Sequence, residues 1–113
     1  MNDLSQQHCK PCEGGVEPLT PAQAQQRLQY LNRDWQLSSD GKSIRRECSF
    51  KNFYHTMSFV NAAAHIANRE DHHPDLAVGY NYCHLTFTTH AIGGLSDNDF
   101  ICAAKIDSLI DTN

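Results

Sequence analysis

The apolar positions of this 113-residue chain follow two rhythms. Between Asn52 and Glu70, Phe53, Met57, Val60, Ala64 and Ala67 recur at steps of four and three, with Phe59, Ala63 and Ile66 widening the stripe. Such steps return to one side of a 3.6-residue turn, which predicts a long central helix. Pro74 has no N–H to donate and biases His73 away from helical dihedrals, so the helix exits at REDHHPD, residues 69–75. A first helix is predicted from Thr20, a capping residue followed by Pro21, with Ala24, Leu28 and Leu31 on one stripe. The last helix follows Gly93-Gly94, where Ser96 and Asp99 have capping-box spacing, and carries Phe100, Ala103, Ile106 and Ile110.

The second rhythm is alternation, the mark of strands with one buried face. Residues 35–37 and 44–50 flank an Asp40-Gly41 turn signal, and Ile44, Cys48 and Phe50 share a face with Arg46 while Arg45, Glu47 and Ser49 point away. Leu76, Val78 and Tyr80 alternate with Ala77, Gly79 and Asn81. Past a tight connection near Asn81-Tyr82, Leu85 and Phe87 are set against His84, Thr86, Thr88 and His90. The predicted order is αββαββα. Two hairpins in so short a chain pair most simply into one four-stranded antiparallel sheet with helices packed on one face, an α+β fold. The other sheet face carries threonines and a histidine and needs water, a ligand or another subunit over it, so a homodimer or homotetramer is expected.

Length alone allows one domain. Hydrophobic residues make up 40% and charged residues 19%, which favours a folded body over a disordered chain. The net charge of −4, with no basic cluster beyond Arg45-Arg46, leaves no footprint for binding nucleic acid. No apolar run approaches the roughly 20 residues that span a bilayer. The start MNDLSQQHCKPC lacks the basic end and apolar core of a signal peptide, so a cytoplasmic protein without membrane attachment is expected. Residues 1–18 hold Pro11, Gly14, Gly15 and Pro18 without a period and predict a flexible or irregular arm, leaving 19–113 as the domain. In that arm Cys9 and Cys12 form a CxxC beside His8, but no second half-site downstream completes a closed zinc centre. Cys48, Cys83 and Cys102 sit singly in apolar or alternating segments and read as reduced, packed thiols.

The remaining chemistry lies in histidine, whose unperturbed pKa of roughly 6.5 lets it exchange a proton near neutrality. The predicted scaffold brings His72 and His73, at the exit of the central helix, toward His90 at the end of the last strand. Three imidazoles can hold a catalytic zinc. Adjacent residues in an extended segment point apart, however, which favours acid/base or ligand-binding work, with a purely structural HHP turn as the bland alternative. Asp99 is explained by capping alone, though a carboxylate there could also orient a histidine. His8, His55 and His65 read as surface or satisfied residues, and Lys51, Arg69 and Glu70 as solvated charges.

The run EDHHPDLAVGYNYCHLTFTTHAIGGLSDND resembles the signature of the pterin-4a-carbinolamine dehydratase family: His72-His73-Pro74, Tyr80, the Thr89-His90 pair and Asp99 after the Gly-Gly-Leu-Ser loop. The likeness continues upstream through FKNFYHTMSFVN, the Asp40-Gly41 turn and Trp35, covering roughly residues 20–110. It implies a hydro-lyase that removes water from 4a-hydroxytetrahydropterin to give quinonoid dihydropterin, in tetrahydrobiopterin recycling beside aromatic amino acid hydroxylation. It implies no metal or organic cofactor, functional coupling to phenylalanine hydroxylase and no nucleic-acid partner. By the same resemblance His72 is the main acid/base contact to the 4a-hydroxyl and His90 a second imidazole near that centre. His73 binds and orients the pterin, Asp99 supports His90, and Asp71, Pro74, Thr88 and Thr89 complete the substrate contacts. Asn68 stands where the family pattern often has a charged residue. Animal members also act as dimerisation cofactors of a homeodomain transcription factor, a role for which this acidic chain carries no signal.

Overall fold

A computed structural model describes residues 4–10 and 16–111; Pro11, Cys12, Gly14 and Gly15 of the arm lie outside the described residues. Three helices, α1 (Pro21–Leu28), α2 (Phe53–Glu70) and α3 (Asp97–Asp111), combine with four strands, β1 (Gln36–Leu37), β2 (Ile44–Ser49), β3 (Asp75–Val78) and β4 (Tyr82–Phe87). The order αββαββα is the one the two rhythms predict. The strands form one antiparallel sheet ordered β1-β2-β4-β3, with Ile44 opposite Phe87 and Leu76 opposite Leu85.

Each helix starts where its cap allows. Thr20 accepts from Gln23 N–H at 3.2 Å while the Gln23 side chain accepts from Thr20 N–H at 2.9 Å, and Asn52 accepts from His55 N–H at 2.9 Å. Helix α1 is shorter than its apolar stripe suggests. After Leu28 the chain tightens into three-residue turns, with Leu31 N–H donating to Leu28 O, and this delivers Asn32 N–H to Asp107 at 2.8 Å. The Asp40-Gly41 connection is also longer than a two-residue turn: Ser38 N–H pairs with Ser43 O, and Gly41 takes the left-handed conformation at φ 72°.

Strand β2 alternates as expected, with Ile44, Arg46 and Cys48 buried, and β4 buries Cys83, Leu85 and Phe87. Strand β3 departs from its pattern. Leu76 and Val78 pair in register with Leu85 and Cys83, yet they stay 38% and 39% exposed because β3 is an edge strand. Helix α3 is the centre of the core, burying Phe100, Cys102, Ala103 and Ile106 among its residues. Full burial of a phenylalanine such as Phe100 or Phe87 contributes about 1.5–3 kcal/mol. A single 3-10 turn at Leu4–Gln6 packs against α3, where Lys105 Nζ donates to Ser5 O at 2.8 Å. No helix among the described residues is long and apolar enough to cross a membrane.

Candidate active site

The site begins with the end of α2. Asp71 is the one non-glycine residue with positive φ among the described residues, at φ 51° and ψ 43°. Its N–H and that of His72 both turn back to Ala67 O. An L-residue pays roughly 1–2 kcal/mol for that left-handed geometry, which here reverses the chain within one residue. Pro74 then holds the exit extended, so the two histidines part. His72 turns inward, its side chain 11% exposed, and His73 stays outside.

His72 lies flat against the buried ring of Phe87, with centroids 6.0 Å apart and planes 5° from parallel. Its Nε2–H donates to Asp99 Oδ1 at 2.6 Å. Asp99 is fully buried, and its other oxygen accepts from the Thr89 hydroxyl at 2.8 Å and from Ser96 N–H at 2.9 Å. The capping-box half that the sequence shows is therefore present, but the same carboxylate also fixes a ring. With Nε2–H committed to Asp99, Nδ1 is the nitrogen left to exchange a proton. The histidine bonded to Asp99 is thus His72, where the resemblance implies His90. The physical reason is that the turn at His90–Ile92 carries His90 out to the surface, while Thr89 dips inward to the carboxylate.

A cleft of about 500 Å3 opens over this pair. Asp71, His72, His73, Thr88, Thr89 and His90 all line it, so the structure brings together six of the eight expected site residues. Asp99 lies behind His72. Pro74 does not line the cleft; its contribution is the extended conformation it imposes on His73. The threonine hydroxyl protons are already committed, Thr88 to Lys42 O at 2.6 Å and Thr89 to Asp99. His73 Nε2 lies 3.1 Å from Asn68 Oδ1, so a neutral amide holds this imidazole at the position where a charge is common in the resembling family. Among the described residues no group of three or more His, Cys, Asp and Glu side chains could hold a metal ion.

Sequence reasoning missed a second set of cleft residues. Cys9, Lys10, Glu70, Ala91 and Asn98 also line it. Glu70, read as a solvated charge, has a side chain only 6% exposed; it accepts from Cys9 N–H at 2.8 Å and lies 3.1 Å from His8 Nδ1. Burial opposes its ionisation, but the Cys9 N–H and His8 outweigh that and hold its pKa below the usual carboxylate value. No local signal could have found this, because the partner is 61 positions away in an arm without periodicity.

A buried carboxylate hydrogen-bonded to one of three cleft imidazoles, on a two-layer αββαββα scaffold, is an arrangement chemically able to move protons. The model of the family described as Pterin 4 alpha carbinolamine dehydratase matches residues 17–109, and the chain belongs to that family of hydro-lyases. A relative from Nitrosomonas eutropha, named for pterin-4-alpha-carbinolamine dehydratase, is 57% identical over 108 residues, which cover 96% of this chain and 94% of the relative. One from Legionella pneumophila, named for the same enzyme, is 58% identical over 109 residues and 96% of each chain. Both alignments reach into the arm that the family model leaves out. Among solved structures, a transcriptional coactivator/pterin dehydratase from Brucella melitensis superposes with a TM-score of 0.77 at 30% identity, over 82% of this chain and 98% of that one. A pterin dehydratase-like protein described as a RuBisCO assembly factor in the alpha-carboxysome, at TM-score 0.60 and 21% identity over 67% of this chain and 88% of that one, shares the fold.

Proposed function

We propose that this protein dehydrates 4a-hydroxytetrahydropterin to quinonoid dihydropterin by histidine general acid/base catalysis. The observation that carries the reading is the Asp99-oriented His72 beside His73 and His90 in one cleft. In the reaction the N5 lone pair forms a C4a=N5 bond as the C4a–O bond breaks, the leaving oxygen takes a proton and departs as water, and N5 gives up its own proton. No electrons are exchanged, so the chemistry asks only for an acid and a base near neutral pKa, which imidazoles supply. His72, through Nδ1, protonates the 4a-hydroxyl; His90 is the second imidazole that accepts the N5 proton. His73, held by Asn68, orients the ring, and Asp71, Thr88 and Thr89 shape the pocket around it. The enzyme acts in the cytoplasm as a homodimer or homotetramer, coupled functionally to phenylalanine hydroxylase in tetrahydrobiopterin recycling; the half-exposed edge strand β3 supports an assembly.

A stopped assay of 4a-carbinolamine loss tests the reading. General acid/base catalysis contributes roughly 10²- to 10⁴-fold, so His72→Ala and His90→Ala should each lose activity on that scale with unchanged far-UV spectra. Wild-type turnover in both variants would refute the assignment, and a zinc requirement revealed by chelation would replace it with metal chemistry.

A further inference from the structure

The arm is fastened to the site by the same two segments that hold the His72–Asp99 pair. Glu70, two residues before His72, accepts from Cys9 N–H; Asn98, next to Asp99, takes both backbone groups of Lys10. Asn98 Oδ1 accepts from Lys10 N–H at 3.0 Å, and Asn98 Nδ2 donates to Lys10 O at 2.6 Å. Cys9 Sγ lies 3.4 Å from Cys102 Sγ and 3.6 Å from Asn98 O. Asn98 itself is 6% exposed, in the first turn of α3 where a solvated residue would serve the helix equally well. A backbone pinned on both its donor and its acceptor keeps little freedom, so the arm presents a fixed surface to the cleft.

We propose that Cys9 and Lys10 form a wall of the pterin site, with Lys10 a substrate-binding residue and Asn98 and Glu70 its positioning residues. The proposal rests on the dehydratase reading of the same cleft. Lys10 lines a cleft whose other lining residues include Asp71, Glu70 and three histidines, so its cationic side chain is within reach of a bound ring. The substrate offers a matching acceptor in its C4 carbonyl, an oxygen that does not leave in the reaction. A hydrogen bond from a charged donor is strong enough to set affinity without touching the chemical step.

The test uses the full chain. Lys10→Ala and Asn98→Ala should each raise KM for the 4a-carbinolamine about tenfold and weaken 7,8-dihydropterin binding equally, with kcat within about threefold. The thiol pair then supplies a rescue that a merely stabilising arm would not show. Diamide takes two electrons and two protons from Cys9 and Cys102, becoming its hydrazine as the Sγ–Sγ bond forms. In Asn98→Ala this lock, verified by peptide mapping, should bring KM back toward wild type, whereas Asn98→Ala with Cys102→Ser should not respond. Unchanged KM and unchanged dihydropterin affinity in a folded Lys10→Ala protein would overturn the proposal while leaving the dehydratase reading intact. Conversely, weaker dihydropterin binding in Lys10→Ala, with no dehydration by the wild type, would support the wall and reject the reaction.

Discussion

Helix α3 buries two aspartates, and its two ends use them differently. Near the N-terminus Asp99 accepts from His72, Thr89 and Ser96; two turns later Asp107 accepts from Arg46, from Trp35 Nε1–H at 2.8 Å and from Asn32 N–H at 2.8 Å. Both are saturated carboxylates holding a cationic or potentially cationic partner. At the second end, burial raises the Asp107 pKa and works against Arg46, yet Asp111 and Asp107 keep Arg46 more firmly protonated than usual. The difference lies in the partner. A guanidinium cannot give up its proton in a protein, whereas an imidazole can, and only the imidazole end faces the cleft shared by His73 and His90. The two buried aspartates thus differ in whether the partner they hold can exchange a proton near neutral pH.

Exchanging or deleting members of these clusters would break the contrast. The largest effect on activity is expected from Asp99→Asn: Thr89 and Ser96 N–H claim the amide oxygen, so a donor NH2 faces His72 Nε2 and reverses its tautomer. Turnover should fall on the order of 10²-fold or more, read by the carbinolamine assay. Near-normal activity would make Asp99 another Asp107. At the other end Arg46→Ala leaves Asp107 buried without its cation and should cost about 3–5 kcal/mol in urea denaturation, with turnover of the folded fraction within about twofold. A loss of turnover that outlasts refolding would join the two ends into one functional unit. The smallest effect concerns the arm and sharpens the comparison with a third carboxylate. Glu70 has a folded pKa below its ordinary 4.5, so its bonds to the arm stabilise fully above that value and are lost as pH falls through the lower folded value. Hydrogen exchange at the Cys9 amide should therefore gain protection from pH 3 to pH 6 beyond the intrinsic rate change, and Glu70→Gln should abolish that gain.

Much of the frame was legible because it depends on local chemistry. The α2 stripe and Pro74 place the exit of the central helix at Glu70, where the structure ends it, and the alternation in β2 puts Arg46 inside. Edge position is a property of the whole sheet, so the same alternation in β3 could not tell that Leu76 and Val78 remain half-exposed. Asp99 shows the limit most sharply. Its spacing from Ser96 is fully explained by a cap, and nothing local says that Nε2 of a histidine 27 positions earlier lies 2.6 Å away.

The chain by itself thus determined the element order, the exit of α2 before Pro74, the divergence of His72 from His73, and the family resemblance, since each follows from neighbours within a few residues. Only the tertiary structure decided which histidine Asp99 holds, that Glu70 and Asn98 reach the arm, and that Arg46 and His72 mark opposite ends of one helix. These are meetings between segments dozens of residues apart. They depend on how α3 packs against the sheet, which side-chain periodicity constrains but does not specify.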